Sequence, residues 1–178
     1  MREVFINETI QSILNRRSIR EFKEEQINDE DLNIILECGR YAPSGMNRQS
    51  YAFVAIQNEE MMHELVNECM QITGRDGSPF YGAPTVILVF GDVNSNTYIK
   101  DASTAIENMH IAATALNLGA CWINCVDDLF NSKKGEKLRE EIEIPNNYKC
   151  VGSLALGYIK GDYPEAKPRK ENIVKIIK

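Results

Sequence analysis

Arg16, Ser18 and Arg20 set two guanidinium groups and a hydroxyl at alternate positions of one stretch, Arg16-Arg17-Ser18-Ile19-Arg20-Glu21-Phe22. A guanidinium is a fixed fork of donors that fits phosphate or carboxylate and stays charged at any working pH. In an extended chain, residues 16, 18 and 20 point to one side, and Arg17 and Ile19 to the other. That arrangement is a three-point anion clamp. The same residues also read as a solvated basic turn at a helix exit, and charge alone favours that plainer reading. The clamp requires matching groups from a distant part of the chain.

The surrounding chain is acidic. Its 178 residues carry a net charge of −6 and a pI near 5.1, which argues against nucleic acid as a partner. A hydrophobic content of 43% and a charged content of 26% are those of a soluble globular protein, and residues 1–178 read as one domain. The five cysteines (Cys38, Cys69, Cys121, Cys125 and Cys150) are odd in number, lie in apolar contexts and lack CxxC spacing. Buried thiols in a reducing cytoplasm suit that pattern better than disulfides or iron–sulfur ligation. Cys121 and Cys125 recur four apart on a predicted strand, but His63 and His110 lie in other segments and complete no ligand set, so no metal site is expected. The start, Met1-Arg2-Glu3-Val4, has no signal-peptide pattern, and no apolar run approaches a membrane span. A cytoplasmic protein without a membrane partner is expected.

The elements that must position the clamp can be read in order. Asn7 is a candidate cap for a helix over 7–15 with Ile10, Ile13 and Leu14 on one face. Asn28, followed by Asp29, Glu30 and Asp31, starts a second helix that ends before Pro43; Ile27 and Leu32 form its hydrophobic staple. Residues 51–57 alternate as a strand, residues 59–72 form a Met-rich amphipathic helix, and residues 73–84 are loop. Thr85–Phe90 reads as a strand buried on both faces. Tyr98–Leu118 is the longest helix, apolar all round and rich in alanine, with Gly119 at its C′ position. Strands are predicted over 120–126 and 151–159, with a short helix near 132–142 between them. The apolar run Ile173–Ile177 follows a polar, proline-bearing tail and must pair with something.

Four features now stand in order: the RRSIR-x-F stretch, Ala42-Pro43-Ser44-Gly45-Met46-Asn47-Arg48-Gln49, the GACWIN stretch over 119–124, and LGY at 156–158 followed by Lys167-Pro168-Arg169. Each alone is a weak signal. The ordered set, from about Arg16 to Arg169, resembles the FMN-dependent nitroreductase family in its short form. The resemblance implies an α+β fold with a mostly antiparallel sheet flanked by helices. It implies a homodimer in which the C-terminal strand of each subunit joins the other's sheet, with FMN at the interface. Arg16, Ser18 and Arg20 match the first FMN-binding segment, with Arg17 beside them. Arg16 would hold phosphate and Arg20 would reach toward flavin N1 and O2. Lys167 and Arg169 match the K-x-R phosphate contacts. Pro43, Ser44, Gly45, Asn47 and Gln49 match the loop laid on the flavin by the second subunit. Ile123, Asn124 and Cys125 match a strand end whose main-chain amides approach flavin N5.

The implied activity is an NAD(P)H-dependent, ping-pong reduction of nitroaromatics, quinones or similar small acceptors. The flavin carries the chemistry, and no catalytic side chain is expected; Arg20 and the backbone at Asn124 and Cys125 tune it. Other redox chemistry on this fold, such as dehalogenation or dehydrogenation, and FMN binding without turnover are the competing readings. The short connection over 92–100 replaces a helical excursion of longer relatives, so an open acceptor site is expected, with residues 73–82 as an alternative cover.

Overall fold

The computed structural model describes residues 7–178. Three of its first four helices begin at an asparagine whose side chain caps free N–H groups. Asn7 Oδ1 accepts from Ile10 N at the start of α1 (Glu8–Asn15). Asn28 Oδ1 accepts from Asp31 N at α2 (Asp29–Arg40), and Asn58 Oδ1 from Met61 N at α3 (Glu59–Thr73). Each such cap contributes about 1 kcal/mol by satisfying a donor the helix cannot. α3 closes at Gly74, whose φ of 62° is the left-handed conformation of a C-terminal cap.

The strands are β1 (Tyr51–Ile56), β2 (Thr85–Asp92), β3 (Gly119–Ile123) and β4 (Tyr148–Gly157). They form one antiparallel sheet in the order β1-β2-β4-β3. The two central strands are covered on both faces, which is why β2 and most of β4 read as unbroken apolar runs. α4 (Tyr98–Ala115) and α2 pack on one face, burying Ile35, Ile106 and Met109 against Ile87, Val89, Leu154 and Leu156. α3 and the short helices α5 (Cys125–Phe130) and α6 (Glu136–Glu141) cover the other, burying Leu65, Cys69, Leu129 and Leu138 with Leu88 and Phe90. α2 approaches α4 closely at Gly39, where a Cβ would lie 2.9 Å from Met109 Cγ.

Several boundaries differ from the sequence reading. The long helix ends at Ala115, not Leu118. Asn117, at φ 58°, takes the left-handed position expected of Gly119, while Leu118 N donates to Ala113 O and Asn117 N to Thr114 O. That pair of bonds is the Schellman closure, and it frees Gly119 to begin β3. The predicted strand over 120–126 stops at Ile123, and Cys125 opens a helix, so Cys121 and Cys125 do not share a strand. The helix near 132–142 is a 3-10 turn over Lys133–Gly135 followed by α6. β4 covers 148–157 rather than 151–159, and β2 runs two residues past Phe90.

Two apolar surfaces stay open within one chain. Ile10, Ile13 and Leu14 on α1 are 39–58% exposed, and Ile173, Val174, Ile176 and Ile177 in the tail are 72–85% exposed. The tail forms no strand here. Along the sheet, β1 has an unpaired edge among the described residues. At the other end, Ile19 N donates to Ala120 O, and residues 19–23 cover that edge.

Candidate functional site

Main-chain and buried side-chain contacts hold the arginine stretch rigidly. Ile19 is buried, as the alternation requires, and its N–H reaches Ala120 O on β3 at 2.9 Å. Phe22 forms an antiparallel bridge with Ile159, Lys23 N donates to Tyr158 O, and Lys160 N to Glu21 O. His110, near the end of α4 and 2% exposed, completes the anchor. Its Nε2 lies 3.2 Å from Arg17 O and 3.1 Å from Ala120 O. Two carbonyls can only accept, so Nε2 carries the proton. Arg16 Nη1, 3.5 Å from the same nitrogen, is then a neighbouring donor rather than a hydrogen-bond partner. Burial, and next the Arg16 charge, lower the His110 pKa to about 4, so the ring is neutral at pH 7.

On this anchor the three arginines differ. Arg16 is half-buried and its Nε pairs with Glu107 Oε1 at 3.5 Å. Arg17 turns back on the chain, donating to Leu14 O and Arg16 O, and its Nε is buried without a partner. Arg20 is exposed, with its guanidinium 5.7 Å from the Tyr81 ring centre. The 73–84 loop, to which the sequence assigned no role beyond possible cover, therefore reaches the clamp through Tyr81. Ser18 is half-buried, and its hydroxyl lies near the buried Cys121 thiol, whose pKa burial raises.

The 43–49 loop sits elsewhere on the chain, over the first turns of α4. Its 3-10 turn spans Gly45–Asn47, and Met46, Asn47 and Gln49 hold φ of 49–56°, a left-handed conformation costly for side-chain-bearing residues. Gln49 N donates to Ser44 Oγ at 2.9 Å, and Thr104 Oγ1 lies 3.2 Å from Pro43 O. Beneath the loop is Asp101, only 4% exposed. It accepts from Gly45 N (3.0 Å), Ser50 Oγ (2.7 Å) and Thr97 Oγ1 (2.9 Å). Burial would push its carboxyl pKa up, but these hydrogen bonds and the nearby Arg48 charge outweigh it, and the pKa is lowered. Asp101 and His110 stand about 13 Å apart along the helix.

Ile123 is buried at the end of β3 with its carbonyl accepting from Ser153 Oγ, Asn124 is exposed, and Cys125 begins α5. The Cys125 thiol pKa is lowered by a hydrogen bond with Cys69, whose own pKa is raised by that bond and by burial. Lys167 and Arg169 are exposed, and among the described residues neither forms a hydrogen bond or ion pair. The chain thus brings Arg16, Ser18, Arg20 and the end of β3 together through the Ile19–Ala120 contact, but not the tail cations. Two clefts of about 620 and 630 Å³ flank the fold; one borders α3 and the 78–84 loop, the other α1, Arg17 and the end of α4. Among the described residues no cluster of three or more His, Cys, Asp or Glu is placed to hold a metal, and no helix is long and apolar enough to cross a membrane.

A sequence profile of the Nitroreductase family matches residues 13–158. The chain belongs to the nitroreductase family. This nitroreductase is 31% identical to a Bacteroides fragilis nitroreductase solved with bound FMN; the match covers 97% of this chain and all of that one, with a TM-score of 0.91. An FMN-bound nitroreductase of Desulfitobacterium hafniense gives 0.86 at 29% identity, covering 96% and 98% of the two chains. An FMN reductase [NAD(P)H] of Bacillus subtilis is 30% identical over 92% of this chain and 70% of its own length. The antiparallel sheet with helices on both faces is therefore the nitroreductase fold. The sequence reading missed Asp101 and His110 as supports of the site. Asp101 stands as a lone acid in a first helical turn, where the dipole alone accounts for it, and the partners of His110 are main-chain atoms that no motif records.

Proposed function

We propose that this nitroreductase is an FMN-dependent NAD(P)H oxidoreductase whose two flavin sites form between copies of the chain in a homodimer, residues 1–178 acting as one domain. One observation carries the reading. In a chain of net charge −6, two arginines are fixed on a main-chain anchor with a guanidinium facing outward rather than into a strong ion pair. The donor set fits FMN, which offers a phosphate dianion and, on reduction, an electron-rich ring edge. Arg16 of the anchored segment, with Lys167 and Arg169, would bind the phosphate through charge-assisted hydrogen bonds. Arg20, beside the relatively open ring of Tyr81, holds positive charge where the ring edge gains electrons.

When bound, FMN supplies the hydride and electron transfer. The chain's own groups bind, orient and tune. The main chain over Ile123–Cys125 would border the flavin, and the loop over 43–49 would present Ser44, Asn47 and Gln49 to the flavin of the other copy. No side-chain nucleophile is required. NADH or NADPH and then a nitroaromatic, quinone or similar acceptor use the same opening in turn, which gives ping-pong kinetics. The second copy is favoured by the open β1 edge and by the exposed apolar residues of α1 and 173–177. Purified protein should show bound-flavin absorbance that bleaches anaerobically on adding NADH or NADPH. Colourless protein that takes up no FMN would end this reading.

A further inference from the structure

We infer that Asp101 is a positioning residue for the flavin-facing loop: its buried carboxylate holds residues 44–50 in the conformation that meets the cofactor. The inference rests on the flavin reading just given and names a residue that contacts the cofactor only through others. Three donors converge on this one carboxylate. Gly45 N comes from the loop, Ser50 Oγ from the residue that leads into β1, and Thr97 Oγ1 from the helix start. The carboxylate therefore clasps the loop at both ends.

The loop needs such a clasp. Met46, Asn47 and Gln49 all lie in the left-handed region, which asparagine tolerates but which costs Met46 and Gln49 roughly 1–2 kcal/mol each. Hydrogen bonds within the loop, from Gln49 N to Ser44 Oγ and from Asn47 N to Ser44 O, close the turn but do not fix it to the body of the protein. Asp101 provides the charge-assisted link to α4. The fit is tight: a Cβ on Gly45 would collide with Thr97 Oγ1 and Cγ2, so only glycine brings its N–H this near. Arg48, on the same loop, faces the carboxylate's charge from a distance and adds to the hold. A carboxylate only 4% exposed requires hydrogen-bond partners to offset its desolvation, and the three it finds tie the loop to α4.

The test uses the full-length protein. Asp101→Ala is expected to weaken FMN binding about tenfold by fluorescence titration of the apoprotein. It is also expected to speed hydrogen exchange at the amides of residues 44–50 while those of β2 and β4 stay protected. Asp101→Asn, which keeps an acceptor for Gly45 N and can donate to the two hydroxyls, should restore most of the affinity. Thr97→Val, which removes one arm without changing shape, should give a few-fold loss and covers the case in which Asp101→Ala does not fold. Unchanged exchange over 44–50 in Asp101→Ala, or unchanged FMN affinity in both Asp101→Ala and Thr97→Val, overturns the inference. Wild-type protein that binds no FMN overturns the flavin reading instead; the exchange measurement then decides alone whether Asp101 holds the loop.

Discussion

The Arg16–Arg20 segment and the 160–178 tail carry the same chemistry and are treated oppositely by the fold. Each offers closely spaced cations, Arg16 and Arg20 four apart on one, Lys167 and Arg169 two apart on the other. The first is bound to β3 by Ile19, to α4 through His110 and to the end of β4 through Lys23. The second has no regular structure, its cations are exposed, and its apolar residues face solvent. Two contacts at its start, Lys160 N donating to Glu21 O and Tyr163 Oη donating to Asn15 O, tie it to the body. A single chain can preorganise half of an anion site and leave the other half for a second copy to place. In the proposed homodimer the anchored half would give geometry, and the free half would make assembly and cofactor binding depend on each other.

The sharpest way to break this contrast is to cut the tail. Truncation after Arg169 removes Ile173–Ile177 and should leave a partner's sheet edge bare. The expected product is insoluble or unfolded; a soluble monomer that binds FMN, seen by sedimentation and absorbance, would contradict the exchanged-strand proposal. On the anchored side, His110→Ala strips the Arg17 carbonyl of its donor and opens a void. It should cost about 2–4 kcal/mol in urea unfolding, an effect that no substitution among residues 164–170 should match.

Single cations probe the two halves directly. Arg16→Ala and Arg169→Ala should each weaken FMN by roughly 1.5–3 kcal/mol, or about ten- to a hundredfold. Because Arg16 is preorganised and Arg169 is not, Arg16→Ala should show the larger loss. Equal losses would mean that the tail is as ordered in the dimer as the anchored segment. Acid is the mildest probe. Unfolded, His110 titrates near 6.5; folded, at about 4. Between those values the unfolded chain holds the extra proton, so stability drains as pH falls from 6.5 to 4, by at most about 3 kcal/mol. Asp127 works against this. Burial, then the Asp128 charge, raise its pKa to about 6, so its half-buried carboxyl costs stability as pH rises from 4 to 6, a solvent-screened and smaller effect. Urea midpoints measured across pH 4–7 in an Asp127→Asn background should expose the His110 slope, and it should vanish in His110→Ala.

What could be read from the sequence divides along physical lines. The asparagine caps at Asn7 and Asn28, the alternation of β1 and the unbroken run of β2 are local signals, and the structure has them where the chain says. The Cys121–Val126 stretch misled because a six-residue helix is too short to show its own period, and Cys125-Val126 continues the apolar pattern of the strand. Asn117 took the cap expected of glycine because asparagine also tolerates the left-handed conformation. The arginine motif gave residue types but not their fates: Arg17 turns back to bond the Leu14 and Arg16 carbonyls. Why Lys167 and Arg169 stand apart from Arg16 is not a local matter at all.

The His110 anchor also sets a timetable for folding. Its contact with Arg17 spans 93 residues, so the arginine segment docks only after most of the polypeptide has arranged itself. Closing so long a loop adds little to the entropic cost beyond that of a shorter one, but contacts of this reach slow the search. α1 and the stretch after it leave the ribosome before α4 and β3 and reach their place late, waiting for those elements to supply the imidazole and the Ala120 carbonyl. In refolding, protection of the Ile19 amide should therefore lag behind the burial of Trp122 on β3.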